Sequence, residues 1–123
     1  MEKQSNDKGQ LQLLESNSTE FAVNTCAQIN KDLQGVSLAT VAINNGIRTT
    51  ILEHLIQQLD PILEQLAQQR KLSQFIYLVD LKEQEFKKLL TQQNYNELGY
   101  LVIKREAQKV YLKMKFSQSG KIE

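Results

Sequence analysis

The clearest hydrophobic pattern in the chain lies between Thr50 and Arg70. Apolar residues recur there three and four positions apart, the spacing that places a stripe along one face of an α-helix. They are Leu52, Leu55, Ile56, Leu59, Ile62, Leu63 and Leu66. Thr50 followed by Glu53 has the form of a capping box, which marks a helix start. The pattern therefore predicts a central helix and requires another element to pack against its stripe.

Pro61 lies inside this stripe. A proline in a helix interior removes one backbone donor and clashes with the previous turn, at a cost of about 3 kcal/mol. Asp60 and Pro61 would also suit the N-cap and first position of a new helix. Because Leu59 and Ile62 keep the stripe in phase across the proline, we expect one kinked central helix rather than two helices meeting at Asp60.

A thinner stripe precedes the central helix. Asn17 and Glu20 form a second capping-box pattern, and Gly35 suits the C′ position at which many helices end. These signals predict a helix from Asn17 to about Leu33. Its apolar residues are Phe21, Ala22, Cys26, Ile29 and Leu33.

The stretch from Val36 to Ile43 is ambiguous. Ser37 is a residue type that can cap the start of a helix. The apolar residues that follow it keep the register of the central helix. The sequence Asn-Asn-Gly at 44–46 is a strong turn signal. We expect a short helix, a break at this turn and then the central helix; one continuous helix from Ser37 is the alternative.

The C-terminal half decides the fold class. Residues 75–79 (FIYLV) form the most strand-like run, whereas Asp80 and Glu83 repeat the capping-box form and predict a helix from about Leu81 to Gln92. Residues 100–116 fit a helix with a 3–4 stripe or a hairpin with alternating polarity, and residues 105–108 are good helix formers rather than turn formers.

We therefore predict an all-α fold, a small helical bundle with a kinked central helix. The alternative is an α+β fold with a small antiparallel sheet built from 75–79 and a 100–116 hairpin. The expected organisation is a disordered leader at 1–9, a single helical domain at 10–116 and a flexible tail at 117–123.

Composition narrows the function classes. The 123 residues carry a net charge of +1, so no bulk attraction to nucleic acid or membrane follows. Cys26 is the single cysteine and His54 the single histidine, which leaves no motif for a metal or for a nucleophile–histidine pair. We expect a cytoplasmic protein without cofactor, metal or membrane span, and not an enzyme.

The C-terminal helix carries a second apolar set, on the side opposite Tyr100, Ile103 and Val110. A helix that is apolar on two faces is buried between layers or covered by a partner. The predicted partner-binding residues are Leu98, Leu101, Leu112 and Phe116. We therefore hypothesise a small non-catalytic interaction or scaffolding module that binds a protein partner or itself, with a homodimer as the expected assembly.

An alternative function uses charge. Arg105, Lys109 and Lys113 follow one another at a spacing of four and would form one row on a helix. Such a row can neutralise phosphates, which makes a nucleic-acid-binding accessory protein the alternative hypothesis.

Overall fold

The computed structural model describes residues 19–44, 46 and 48–122, with side chains described as far as Phe116. These described residues form five helices: α1 (Thr19–Gln34), α2 (Ile51–Gln68), α3 (Leu72–Val79), α4 (Glu83–Thr91) and α5 (Tyr95–Ile122). Because these residues form no strand, the all-α bundle is confirmed and the sheet alternative is not supported. The predicted leader at 1–9 and the predicted cap Asn17 lie outside the described residues, and α5 runs through most of the predicted tail.

The start of α2 follows the sequence signal. The backbone N–H of Glu53 donates to Thr50 Oγ1 at 3.1 Å, which satisfies one of the free amides at the helix start. Pro61 lies within this single helix, so no second helix begins at Asp60. The stripe is buried within the chain at Leu52, Leu55, Leu59, Leu63 and Leu66.

The helix at the middle of the bundle is α5, which packs against all four others. At Gly99 it packs on α2: a Cβ added there would lie 3.7 Å from the Cβ of Leu59 and 3.8 Å from Leu63 Cδ1, which are ordinary contact distances. On another side, α1 runs along α5, and α3 packs on α1, α2 and α5. The shorter α4 packs on α5 and has no fully buried residue.

The strand-like run at 75–79 is helical. Leu72, Phe75, Ile76 and Val79 are all buried in α3, and their spacing is that of one helical face. The predicted capping box at Asp80 is also wrong, because Asp80 ends α3 in the left-handed conformation, with φ 71°. Accordingly α4 begins two residues later than predicted, at Glu83.

The expected short helix between α1 and α2 is absent. Residues 37–44, which we call the strap, are non-helical. The Asn30 side chain accepts from the backbone N–H of Val41 at 2.8 Å and donates to its carbonyl at 2.9 Å. Gln58 makes the same pair of bonds with Ala42, at 2.9 and 2.6 Å. These amide side chains supply the partners that a helix would otherwise provide.

The turn signal after the strap is confirmed at Gly46, whose φ of 75° favours glycine. The helix end predicted near Gly35 is confirmed, because α1 ends at Gln34, although Gly35 is not among the residues with positive φ. Among the described residues, no helix has both the length and the apolar character needed to cross a membrane.

Candidate functional site

The four residues predicted to bind a partner share one face of α5. At about 100° per residue, Leu98, Leu101, Leu112 and Phe116 fall within an arc of about 60°; we call this row the α5 stripe. The structure divides it into two parts. Leu98 is 0% exposed and Leu101 is half-buried, whereas Leu112 is 40% and Phe116 is 73% exposed.

The course of the chain explains this division. Arg105 donates to the carboxylate of Asp80 at 2.9 Å and to its backbone carbonyl at 3.2 Å, which holds the connection into α4 beside the middle of α5. From there α4 returns to the start of α5, ending at Thr91. It therefore lies over the first turns of α5, and its half-buried Phe86, Leu89 and Leu90 pack against the core.

The partner role predicted for Leu98 is accordingly corrected: this side chain belongs to the core of its own chain. The candidate surface is reduced to Leu112 and Phe116, which we call the open stripe. Helical geometry places Lys109 and Lys113 on one side of it and Lys115 on the other. It is thus an apolar strip between lysines.

The basic row exists but its side chains have partners within the chain. Arg105 pairs with Asp80 at 2.9 Å, and Lys109 pairs with Asp32 at 2.9 Å. Lys113 donates to Gln28 Oε1 at 2.7 Å. The row therefore ties α5 to α1 and α3, and a phosphate would have to compete with these contacts.

A buried polar cluster, Asp32, Glu106 and Lys109, lies where α1 meets α5. Glu106 is 0% exposed. No donor reaches its carboxyl oxygens with hydrogen-bond geometry, although Lys109 Nζ is only 2.8 Å from Oε1. Burial raises the pKa of Glu106 to about 9, and the adjacent Asp32 adds to this effect against the opposing influence of Lys109. Glu106 is therefore protonated at neutral pH and can donate to Asp32.

The two partners of Glu106 are held in their charged forms. Burial acts to raise the pKa of Asp32, but hydrogen bonds from Glu106 and Lys109 outweigh it and lower the pKa. Burial likewise acts to lower the pKa of Lys109, but Glu106 and Asp32 raise it above its usual value. At neutral pH the cluster thus comprises one carboxylate, one ammonium and one neutral carboxylic acid.

This cluster has the perturbed pKa values that often mark an active site, but its geometry does not suit catalysis. Glu106 has no exposed surface, so a substrate could reach it only if α1 and α5 separated. Lys109 has a raised pKa, the reverse of what a nucleophilic lysine requires. The arrangement instead links the two helices through the Asp32–Lys109 ion pair.

Sequence reasoning missed Asp32 and Glu106. The available signal for Glu106 was its register: it lies three residues after Ile103 and four before Val110, on the buried side of α5. A carboxylate on an apolar face indicates a buried polar partner on a facing helix. Sequence alone did not identify α1 as that helix.

The other candidate chemistry has a structural explanation. Cys26 is buried and donates to the Val41 carbonyl at 3.2 Å, and burial raises the pKa of its thiol. His54 Nε2 accepts from the backbone N–H of Asn44 at 3.4 Å. Within the described residues, no group of three or more histidine, cysteine or acidic side chains could hold a metal ion.

No protein-family model matches the chain, and no curated protein or solved structure is significantly similar to it.

Proposed function

We propose that this chain is a non-catalytic protein–protein interaction module that binds its partner through the open stripe. The observation that carries the proposal is the exposure of Phe116, 73%, on the same helix face whose first half is covered by α4. Burial of a leucine or phenylalanine side chain contributes roughly 1.5–3 kcal/mol. A partner that covers both residues therefore gains a substantial part of its binding free energy from this strip.

The polar chemistry of the chain supports this proposal over an enzyme. Glu106, the acid whose pKa is raised to about 9, is sealed between helices, and Lys109 is held charged by two carboxyl groups. The geometry also favours a protein partner over nucleic acid, because Arg105 and Lys109 form ion pairs with Asp80 and Asp32 of their own chain, which leaves less of the row free to neutralise phosphates.

The apolar residues of the open stripe alone would also allow a second copy of the chain to bind, which is the sequence-based expectation of a homodimer. A two-fold interface is self-complementary, so Leu112 and Phe116 of two copies would cover each other. Sedimentation at tens of micromolar tests this assembly: a dimer that becomes monomeric after Leu112→Glu with Phe116→Glu supports it, and a monomeric unmodified protein contradicts it.

Photo-crosslinking tests the function for any protein partner. A photoreactive phenylalanine analogue replaces Phe116 in one variant and Tyr77, an 83% exposed aromatic residue on α3, in a matched control. In the cells that make the protein, we expect the first variant to give a discrete adduct with a second polypeptide, at several times the yield of the control. An adduct yield at position 116 no higher than at position 77 would contradict the proposal.

A further inference from the structure

We propose that the open stripe binds an amphipathic helix whose apolar face is flanked by acidic residues. This inference rests on the proposed function and names the chemistry of the partner. Two observations carry it, the way the chain already covers the first half of the α5 stripe and the charges beside the second half.

The chain itself shows what fits this face. Over the first turns of α5 the covering element is α4, a nine-residue helix with Phe86, Leu89 and Leu90 turned toward the core and acidic and basic residues elsewhere. The open stripe continues the same face beyond Arg105. A helix of similar length lying end to end with α4 would cover Leu112 and Phe116 in the way that α4 packs on the first turns of α5.

The lysines beside the open stripe indicate which residues should flank the apolar face of the partner. Residues 100–116 contain five basic residues and one acidic residue, Glu106. Arg105 and Lys109 pair with Asp80 and Asp32, which leaves Lys113 and Lys115 as the cations that flank the open stripe. Glu106 is buried and uncharged at neutral pH, so it offsets none of this positive charge at the surface. Lysines lie on both sides of the apolar strip, Lys113 on one and Lys115 on the other. A partner with glutamate or aspartate on either side of its apolar seam would meet opposite charges on both flanks.

The same charges disfavour a second copy of α5 as the occupant. In a two-fold pairing over the open stripe, the lysines at 113 and 115 of the two chains would approach one another. Like charges that face each other across an interface weaken it. An acidic helix gains the same apolar burial without this repulsion.

Two synthetic helical peptides of equal length test the proposal. Both carry leucines at i, i+3, i+4 and i+7; one has glutamate at the flanking positions and the other lysine. In fluorescence anisotropy titrations against the full chain at low salt, we expect the glutamate peptide to bind at least about tenfold more tightly. Its affinity should fall with salt because the flanking contacts are exposed.

Three variants define the site. Leu112→Glu with Phe116→Glu should remove binding of the glutamate peptide, and Lys115→Glu should weaken it about fivefold or more while strengthening the lysine peptide. The control Tyr77→Glu should leave both affinities unchanged. Circular dichroism of each variant establishes that the helices remain folded.

The outcomes separate this inference from the proposed function. Equal binding of the two peptides, or binding that survives the Leu112 and Phe116 substitutions, overturns the inference. A stable dimer that depends on Leu112 and Phe116 overturns it as well but leaves the interaction module standing, with a second copy as partner. The proposed function is tested separately, by the crosslinking yield at position 116, so it can fail independently of this inference.

Discussion

Lys109 Nζ lies 2.9 Å from Asp32 Oδ2, an ion pair that joins the middle of α5 to the last turns of α1. The same ammonium lies 3.3 and 3.4 Å from the backbone carbonyls of Leu78 and Val79. These carbonyls end α3, where the helix dipole favours a cation. One side chain therefore connects three of the five helices.

Replacing Lys109 with methionine tests this connection. The apolar part of the side chain is kept, but Asp32 loses its counter-ion and the α3 carbonyls lose a donor. Removing one partner of a buried ion pair is strongly destabilising, and we expect a loss of about 2–4 kcal/mol in the free energy of unfolding. Urea denaturation measures it. Lys115→Met, at an exposed position, is the control, and equal stability of the two variants would show that the ion pair contributes nothing.

Glu106→Gln tests the neutral carboxylic acid. Folding raises the pKa of Glu106 from 4.5 to about 9, so the folded state holds a proton that the unfolded state releases between these pH values. The contribution of Glu106 to stability is therefore complete below pH 4.5 and is lost as pH rises to about 9, at about 1.4 kcal/mol per pH unit for one proton. A glutamine side chain has nearly the same shape as the protonated Glu106 side chain but does not titrate.

The measurement is the free energy of unfolding from pH 5 to 9 for both proteins. We expect the variant to equal the unmodified protein near pH 5 and to exceed it increasingly towards pH 9. The lowered pKa of Asp32 acts at acidic pH, outside this window, and is common to both proteins. Parallel curves would mean that Glu106 is ionised in the folded state.

Asn30→Ala and Gln58→Ala compare the two amides that hold the strap. Asn30 bonds to Val41, which is buried, so its removal leaves a backbone N–H without a partner at a cost of about 1–3 kcal/mol. Gln58 bonds to Ala42, which is exposed, and water can replace its contacts. We expect Asn30→Ala to lower the melting temperature clearly more than Gln58→Ala. The reverse order would show that the Asn30 bonds to Val41 are not the stronger hold on the strap.

Gly46→Ala and Gly35→Ala compare two reasons why a position can require glycine: a positive φ at Gly46 and limited space for a Cβ at Gly35. At Gly46 the φ of 75° strains any side chain, so alanine should destabilise by about 1 kcal/mol although nothing lies nearby. At Gly35 a Cβ would lie 2.7 Å from Leu78 Cδ1, but this atom ends a flexible, partly exposed side chain that can turn away. We expect Gly35→Ala to cost less than Gly46→Ala in urea denaturation, and a larger cost would indicate that Leu78 is fixed in place.

Local signals predicted much of the helical framework. The predicted capping residue Thr50 accepts a hydrogen bond from the backbone N–H of Glu53, three residues later. The helix interpretation of 100–116 was correct because its candidate turn contained only good helix formers. These features depend on neighbours within one or two turns, which the sequence displays directly.

Features that depend on distant residues were not predicted. Phe75 to Val79 has strand-like composition, yet three distinct helices bury its 3–4 face. The strap is non-helical because Asn30 and Gln58, from two different helices, bond to its backbone. The coverage of Leu98 depends on where α4 lies, which the sequence pattern of α5 does not contain.

Whether a partner covers the open stripe is measured by the reactivity of a cysteine at position 116 inside the cell. Cys26 is buried with a raised thiol pKa, so Phe116→Cys supplies an accessible thiol, and Tyr77→Cys supplies a matched control. Maleimide labelling is compared between purified protein and intact cells, with the unsubstituted chain as background. Each labelling rate in cells is divided by the rate of the same variant in the purified protein. If a partner covers the open stripe, this ratio is at least about tenfold lower at position 116 than at position 77. Equal relative rates at the two positions would show that no partner covers the open stripe.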